Sequence, residues 1–285
     1  MISMSVIKDL ELKSIQYRRE ILAMIRKANA GHTAGDLSCI DILNVLYNQI
    51  MNIHPENFAS PYRDRFIQSK GHSVEALYAV LADLGFYSRL ELETLNHYQS
   101  DFVGHPTRGV NGIEHNTGAL GHGLSVAVGL SLAFKKDQLP HRVFTLLGDG
   151  ELEEGSNWEA CMSAAHYQLD NLVVIVDRNT LQITDRTEKV SQLEPLEEKF
   201  CAFGFAVRSV DGNSIAALVD IFHRIPFEPG KPNLVLARTI KGKGVSFVED
   251  NVKWHHHAPD EEEYRKALAE LDQTEAELRL AYEPG

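Results

Sequence analysis

Cysteine is scarce in this 285-residue chain, and none of it is paired by spacing. Cys39, Cys161 and Cys201 stand far apart with no CxxC pattern. A disulfide scaffold and a thiolate zinc site are therefore excluded, and the free thiols fit a reducing compartment. Cys161 and Cys201 fall in stretches that read as helices, where each is expected to be a small buried apolar residue. Positive charge is in short supply too: 28 lysines and arginines face 40 aspartates and glutamates, a formal net charge of −12. Such a balance argues against nucleic acid as the main partner, while local basic groups still leave anionic small molecules open. No apolar run approaches the ~20 residues that a bilayer crossing needs. Residues 1–7 have no basic segment leading into an apolar one, so the chain reads as cytoplasmic. Repeats, low-complexity tracts and linkers are also lacking, and one domain over 1–285 is the expected organisation.

The hydrophobic content of 44% is ordinary for a globular core, and its pattern alternates between two periods. Ile7, Leu10, Ile15, Leu22 and Ile25 recur near helical spacing over 6–30, before a stop at Gly31. A second helix carries Ile40, Ile42, Leu43, Val45 and Leu46, with Asp36 or Ser38 as its expected cap. Strands are expected over 65–68, 143–147, 172–176, 205–210 and 233–239. Helices are expected over 74–84, 89–98, 124–134, 156–167, 214–225 and 261–282. Alternation of this kind predicts an α/β fold built on a doubly wound, mostly parallel sheet. The segment 99–117 is a long irregular stretch, and long loops inside compact domains tend to be functional. Glycines in 118–123 run GxxGxG with no strand before them, which excludes the dinucleotide fingerprint. The Gly, Ala and Ser of 124–134 suit close packing against the sheet or a subunit, so this helix is a candidate partner surface.

Two segments hold the centre. The apolar run 143–147 meets Gly148-Asp149-Gly150, and the run 172–176 ends in Asp177-Arg178-Asn179. That is a β-α-β crossover with polar residues at the carboxyl ends of both strands, where open α/β sheets bind ligands. Gly-Asp-Gly alone is also an ordinary tight turn. The answering Asn179 makes it a site, because neighbouring strands would set Asp149 and Asn179 side by side at exposed strand ends. Hard oxygens without thiolate or imidazole suit magnesium holding a phosphorylated ligand, and the flanking glycines let backbone approach a phosphate. Four histidines, His32, His72, His105 and His255, stand in loop-rich stretches after regular elements. They lack zinc spacing such as HExxH and suit hydrogen bonding to a polyhydroxylated substrate with proton transfer near neutral pH. The triplet His255-His256-His257 also reads as a metal-binding tract.

These motifs resemble the thiamine diphosphate signature, and nearly the whole chain is similar to the amino-terminal, pyrophosphate-binding portion of transketolase. Ser69-Lys70-Gly71-His72 with Leu77-Tyr78-Ala79-Val80 resembles the family's segment beside the cofactor diphosphate. Asn116-Thr117-Gly118-Ala119-Leu120-Gly121 resembles the loop that touches the aminopyrimidine. The resemblance implies a thiamine diphosphate-binding fold of the pyrophosphate type, with Mg²⁺ held by Asp149, Asn179 and the Leu181 carbonyl. It implies cofactor contacts from Lys70, His72, Gly118, Ala119, Leu120, Gly150, Glu154, Asn179, Lys241 and His255. It also implies that His32, His72, His105 and His255 line the catalytic channel. Glu154 and Glu159 are implied to face a partner or mate subunit, although two acids at a helix start also complement its dipole.

Departures from the family pattern are visible. Thr33 follows His32 where Pro is usual, Arg178 stands where an acidic residue or Asn is frequent, and His122 replaces Gln; none removes a metal ligand. Relatives continue into pyrimidine-binding and carboxy-terminal domains, which carry the glutamate that activates the aminopyrimidine and the grip on the substrate's terminal phosphate. The expectation is therefore the amino-terminal subunit of a split transketolase, an α2β2 heterotetramer with a carboxy-terminal partner subunit. It would move a two-carbon ketol unit from a ketose (sugar phosphate, sulfosugar or apiose-derived phosphate) to an aldose phosphate. The α subunit of a thiamine diphosphate-dependent 2-oxo acid dehydrogenase is the nearest alternative, and the four histidines with KGKG…WH argue against it. A non-catalytic module that has kept the fold is a second, against which the intact ligand set argues.

Overall fold

A computed structural model describes residues 3–282; the extreme ends of the expected 1–285 domain lie outside the described residues. The chain opens with helix α1 (Met4–Ala28), started by the Ser3 hydroxyl accepting from the Val6 amide and stopped by Asn29 at φ 49°. Helix α2 (Thr33–Val45) follows, then strand β1 (Arg65–Gln68), helix α3 (Val74–Asp83) and helix α4 (Gly123–Lys136). Strand β2 (Val143–Gly148), helix α5 (Gly155–His166) and strand β3 (Leu172–Arg178) form the central crossover. Short helices α6 (Thr187–Val190) and α7 (Leu196–Ala202) lead to strand β4 (Ala206–Asp211). Helix α8 (Ile215–Phe222), strand β5 (Asn233–Arg238) and helix α9 (Glu261–Ala281) complete the chain.

All strand pairs are parallel, in the order β1-β2-β3-β5-β4. Every residue of β2 and β3 is buried, as parallel strands covered on both faces must be, and this explains their unbroken apolar runs. Side chains alternate between two cores. Phe66, Phe144, Leu146, Val173, Ile175 and Val235 pack with α1, α2, α3 and α8 on one face. Ile67, Val143, Leu147, Val174, Val176 and Leu234 pack with α4, α5 and α7 on the other. The edge strand β4 exposes Arg208, Ser209 and Asp211, polar groups that discourage further strand pairing. After β3 the chain skips one position and β5 returns to fill it, so the strand order turns at this point. Ligand crevices of open sheets lie at such turns, beyond the carboxyl ends of the strands.

Three local expectations need correction. Neither Asp36 nor Ser38 caps α2: the helix begins at Thr33, His32 occupies the cap position, and no side chain caps it. A capping oxygen must precede the first turn, and Asp36 already lies inside it, its carboxylate accepting from the Ala76 amide at 2.8 Å. The helix expected over 89–98 is a 3₁₀ segment, Arg89–Thr94. Cys201 is exposed, unlike buried Cys39 and Cys161, because it falls on the outer side of α7.

Candidate active site

Four strands deliver polar groups to one edge of the sheet. Lys70 lies two residues beyond β1, Asp149 directly follows β2, Asn179 directly follows β3, and Lys241 lies three residues beyond β5. Between them lies a cavity of about 270 Å³ lined by His32, Lys70, His72, His105, Gly118, Leu120, Asp149, Gly150, Asn179, Leu181, Lys241 and His255. Twelve of the residues singled out from the sequence thus meet at one place. Ala119, Glu154 and Glu159 are exposed and outside its wall, and so is His122, whose Nδ1 lies 3.2 Å from the carbonyls of Ala119 and Leu120.

Asp149 and Asn179 are not exposed strand ends: they are 2% and 5% accessible, because β2 and β3 are interior strands and the following loops fold over them. The Asp149 carboxylate accepts from the Gly150 amide (2.8 Å), the Thr180 amide (2.6 Å) and Arg178 Nη1 (3.1 Å). The Asn179 amide nitrogen donates to Asp177 (3.2 Å), while its oxygen accepts from the Leu181 amide (3.2 Å). The Leu181 carbonyl accepts from Lys241 Nζ at 2.8 Å. Arg178 also donates to Thr187, Glu188 and Glu194, tying the carboxylate to the stretch 187–194. Lys70 is buried in an ion pair with Asp177 and donates to the Gly35 carbonyl at 3.1 Å. Burial alone would raise the Asp177 carboxyl, but Lys70 and the hydroxyls of Ser38 and Thr239 hold it below the usual range.

The histidines form a cluster. Ring centroids separate His32 from His72 by 5.2 Å, His32 from His255 by 5.4 Å and His72 from His255 by 5.6 Å. His105 lies 6.3 Å from His32, and exposed His256, which drew no role from the sequence beyond the triplet, lies 4.7 Å from it. His257 turns away and meets Glu263 at 3.2 Å. The triplet is therefore not a metal tract, and among the described residues no three His, Cys, Asp or Glu side chains are arranged to hold a metal.

Electrostatics favour neutral rings. Burial and then His256, His105 and Lys241 push His32 down to about 4. Burial with Lys241 and His32 pushes His255 down to about 3, and burial with Lys70 carries His72 well below its ordinary value. Burial lowers His105 as well. Lys241, buried beside Lys70, is pushed down to about 8. Its Nζ lies 3.0 Å from His255 Nδ1; with Lys241 protonated, Nδ1 accepts and Nε2 carries the ring proton. Neutral imidazoles in a positive field can exchange protons with a bound molecule and welcome an anion.

The wall fits a diphosphate with a hard divalent cation. Asp149, Asn179 and Leu181 offer it a carboxylate, an amide oxygen and a carbonyl, donors of the kind magnesium prefers. A Cβ added at Gly148 would find no other atom within 3.8 Å, and one at Gly118 (φ +134°) would strike the His105 ring at 2.9 Å, so Gly118 keeps backbone close to an imidazole. The buried Gln182 Oε1, beside Gly150, has no hydrogen-bond partner. Sequence reasoning missed Glu151, a buried carboxylate on the cavity floor. It accepts from Ser69 and from the amides of Gly121 (2.9 Å) and Gly148 (3.0 Å). Its position two residues past Asp149 was the available signal.

Comparison with known proteins gives the following. Residues 11–277 match the family model described as transketolase, thiamine diphosphate binding domain. One of the subunits of an apulose-4-phosphate transketolase from Phocaeicola vulgatus is 46% identical over 267 residues, spanning 94% of this chain and 95% of that protein. A 6-deoxy-6-sulfo-D-fructose transketolase subunit from a Clostridium species is 41% identical over 265 residues, spanning 93% and 96%. The solved transketolase from Leishmania mexicana superposes with a TM-score of 0.81 at 26% identity, over 98% of this chain and 46% of its own. The chain thus spans about half the length of the solved transketolases that it matches.

Proposed function

The chain belongs to the thiamine diphosphate-binding domain family of transketolases, and from that premise we propose that it is the amino-terminal subunit of a two-part, cytoplasmic transketolase. With a carboxy-terminal partner it moves a two-carbon ketol unit from a ketose to an aldose phosphate, in an α2β2 assembly around a twofold axis. The observation that carries this reading is the single cavity in which four imidazoles, two lysines and the Asp149-Asn179-Leu181 oxygens converge. Asp149, Asn179 and the Leu181 carbonyl would hold Mg²⁺, and Lys70, Lys241 and the Gly148-Gly150 backbone would hold the diphosphate of thiamine diphosphate. Bound there, the cofactor would supply the carbanion chemistry by which the carbon–carbon bond is broken and remade. His32, His72, His105 and His255 orient the donor's hydroxyls, and their neutral rings accept or donate the protons that bond cleavage moves.

The end-to-end relatives support a partner subunit, and their names support apulose 4-phosphate or a sulfosugar as the donor. The test mixes the purified chain with the neighbouring gene's product, thiamine diphosphate, magnesium and ribose 5-phosphate as acceptor. Donors are apulose 4-phosphate, 6-deoxy-6-sulfo-D-fructose and xylulose 5-phosphate in separate reactions. Ketol transfer only with both proteins present is expected. Transfer by this chain alone would refute the split, and decarboxylation of pyruvate without any ketol transfer would refute the transketolase reading.

A further inference from the structure

Beneath the histidine cluster lie two carboxyl groups that the proposed chemistry does not use. Asp36, in the first turn of α2, and Glu75, in the first turn of α3, are both fully buried. Each carboxyl perturbs the other's protonation. Asp36 Oδ1 accepts from the amide of Ala76, the residue after Glu75, at 2.8 Å, and neither Asp36 Oδ2 nor either Glu75 oxygen finds a donor. The titratable and charged groups that face the pair are Cys39 on α2, Tyr78 on α3 and Lys70 beyond β1. Only Lys70 is cationic, and it is already committed to Asp177 on β3 and to the Gly35 carbonyl. Two buried carboxylates in contact without a cation of their own cannot both be ionised. One must keep its proton, and the unpartnered oxygens leave the other carboxylate as the acceptor for that O–H.

The pair sits where the catalytic-site geometry is set. Helix α2 begins one residue after His32, and α3 begins two residues after His72. The helix entrances approach so closely that a Cβ on Gly35 would stand 3.6 Å from the His72 ring. We propose that Asp36 and Glu75 are a proton-sharing positioning pair, whose O–H···O⁻ bond clamps the entrances of α2 and α3 and thereby fixes His32 against His72. This rests on the reading of those histidines as working residues of the site. Burial raises both carboxyls above the usual range, and the charge of Asp36 raises Glu75 further. A carboxyl raised on folding stabilises the fold while protonated, and that stability is lost as pH rises through the folded value. Loss of the shared proton would put two anions in contact and drive the helix entrances apart.

The test uses the full chain without substrate or partner, so failure of the ketol-transfer reading leaves it intact. Glu75→Gln keeps a donor toward Asp36 but cannot ionise. Asp36→Asn is its mirror, accepting from Ala76 and donating to Glu75. Melting temperature is measured from pH 6 to pH 9 together with imidazole ¹³C and ¹⁵N shifts of His32 and His72. Both rings stay neutral in that window, and Lys241, which titrates there at about 8, is common to all the proteins, so movement seen in wild type and lost in the amide variants reports displacement. Expected is a wild type whose melting temperature falls relative to Glu75→Gln as pH rises, with His32 and His72 signals moving through the same transition. In both amide variants only the movement due to Lys241 should remain, and Glu75→Leu, which offers no donor, should displace the signals at every pH. Parallel melting profiles in wild type and amide variants, or histidine signals that follow pH alike in all of them and ignore Glu75→Leu, would overturn the proposal. So would failure of both amide variants to fold, since each retains the clamp's hydrogen bond.

Discussion

Acid should unfold this chain through its own site. His32 and His255 stand at about 4 and about 3 in the fold, against an ordinary value near 6.5 in the unfolded chain. Between those limits the unfolded state binds protons that the folded state refuses, so stability falls as pH drops below about 6.5. At pH 5 each unfolded imidazole gains about 1.5 pH units of protonation that its folded counterpart lacks, or about 2 kcal/mol. Together the two rings amount to about 4 kcal/mol, an upper bound because both keep some contact with solvent. Against a total stability of about 5–15 kcal/mol, that is enough to decide whether the chain is folded.

The assay is urea unfolding followed by circular dichroism at pH 8 and pH 5, for wild type, His32→Asn and His255→Asn. Each variant should lose about 2 kcal/mol less than wild type across that interval, and the comparison cancels the titration of surface carboxylates. Identical pH dependence in all three proteins would refute the argument, for it would mean that the rings protonate freely in the folded cavity. Inorganic pyrophosphate with magnesium should narrow the gap, since an anion in the cavity favours the imidazolium forms.

Two further outcomes follow from the same geometry. Asp149→Ala and Asn179→Ala should abolish magnesium-dependent thiamine diphosphate binding in calorimetry. Asp149→Ala should also cost about 1–3 kcal/mol in urea unfolding, because it leaves buried donors of Arg178 and Thr180 without their acceptor. His105→Ala and His255→Ala, assayed with the partner subunit, should lower turnover by about 10²–10⁴ while leaving cofactor affinity within a few-fold.

The central crossover was legible because burial on both faces writes itself as uninterrupted apolar sequence, and because Gly148-Asp149-Gly150 and Asn179 end those runs where ligands collect. The helices α6 and α7 were not legible: at four and seven residues they are too short for a helical period to register. The start of α2 was hidden by the opposite problem. Every residue from Thr33 to Val45 is buried, so no polar face marks its phase and no cap marks its beginning. Asp36 read as a cap because acids near helix starts usually are; here it faces Glu75 across a helix–helix contact that no local pattern encodes. Arg178 was open for a similar reason. Its partners Asp149, Thr187, Glu188 and Glu194 lie on both sides of it in sequence, and only the folded loop brings them within reach of one guanidinium.

The cavity also explains how a chain of net charge −12 can be built to take an anion. Its surface acids are distant and screened by water, whereas the groups that matter are buried at one sheet edge. Lys70 is neutralised there by Asp177. Lys241 is not: among the described residues no carboxylate pairs with it, and its ammonium makes do with the Leu181 carbonyl and His255 Nδ1. A buried cation without a counter-ion is costly, and the fall of Lys241 to about 8 is that cost expressed as proton affinity. Moving Lys241 onto a diphosphate oxygen would relieve it and free the Leu181 carbonyl in the same motion. On the proposed reading that carbonyl joins Asp149 and Asn179 in holding magnesium, so anion and cation would enter the site as a coupled pair. On this argument neither magnesium nor diphosphate alone should bind well, because each by itself leaves one of the two vacated partners, Lys241 or Leu181, unsatisfied.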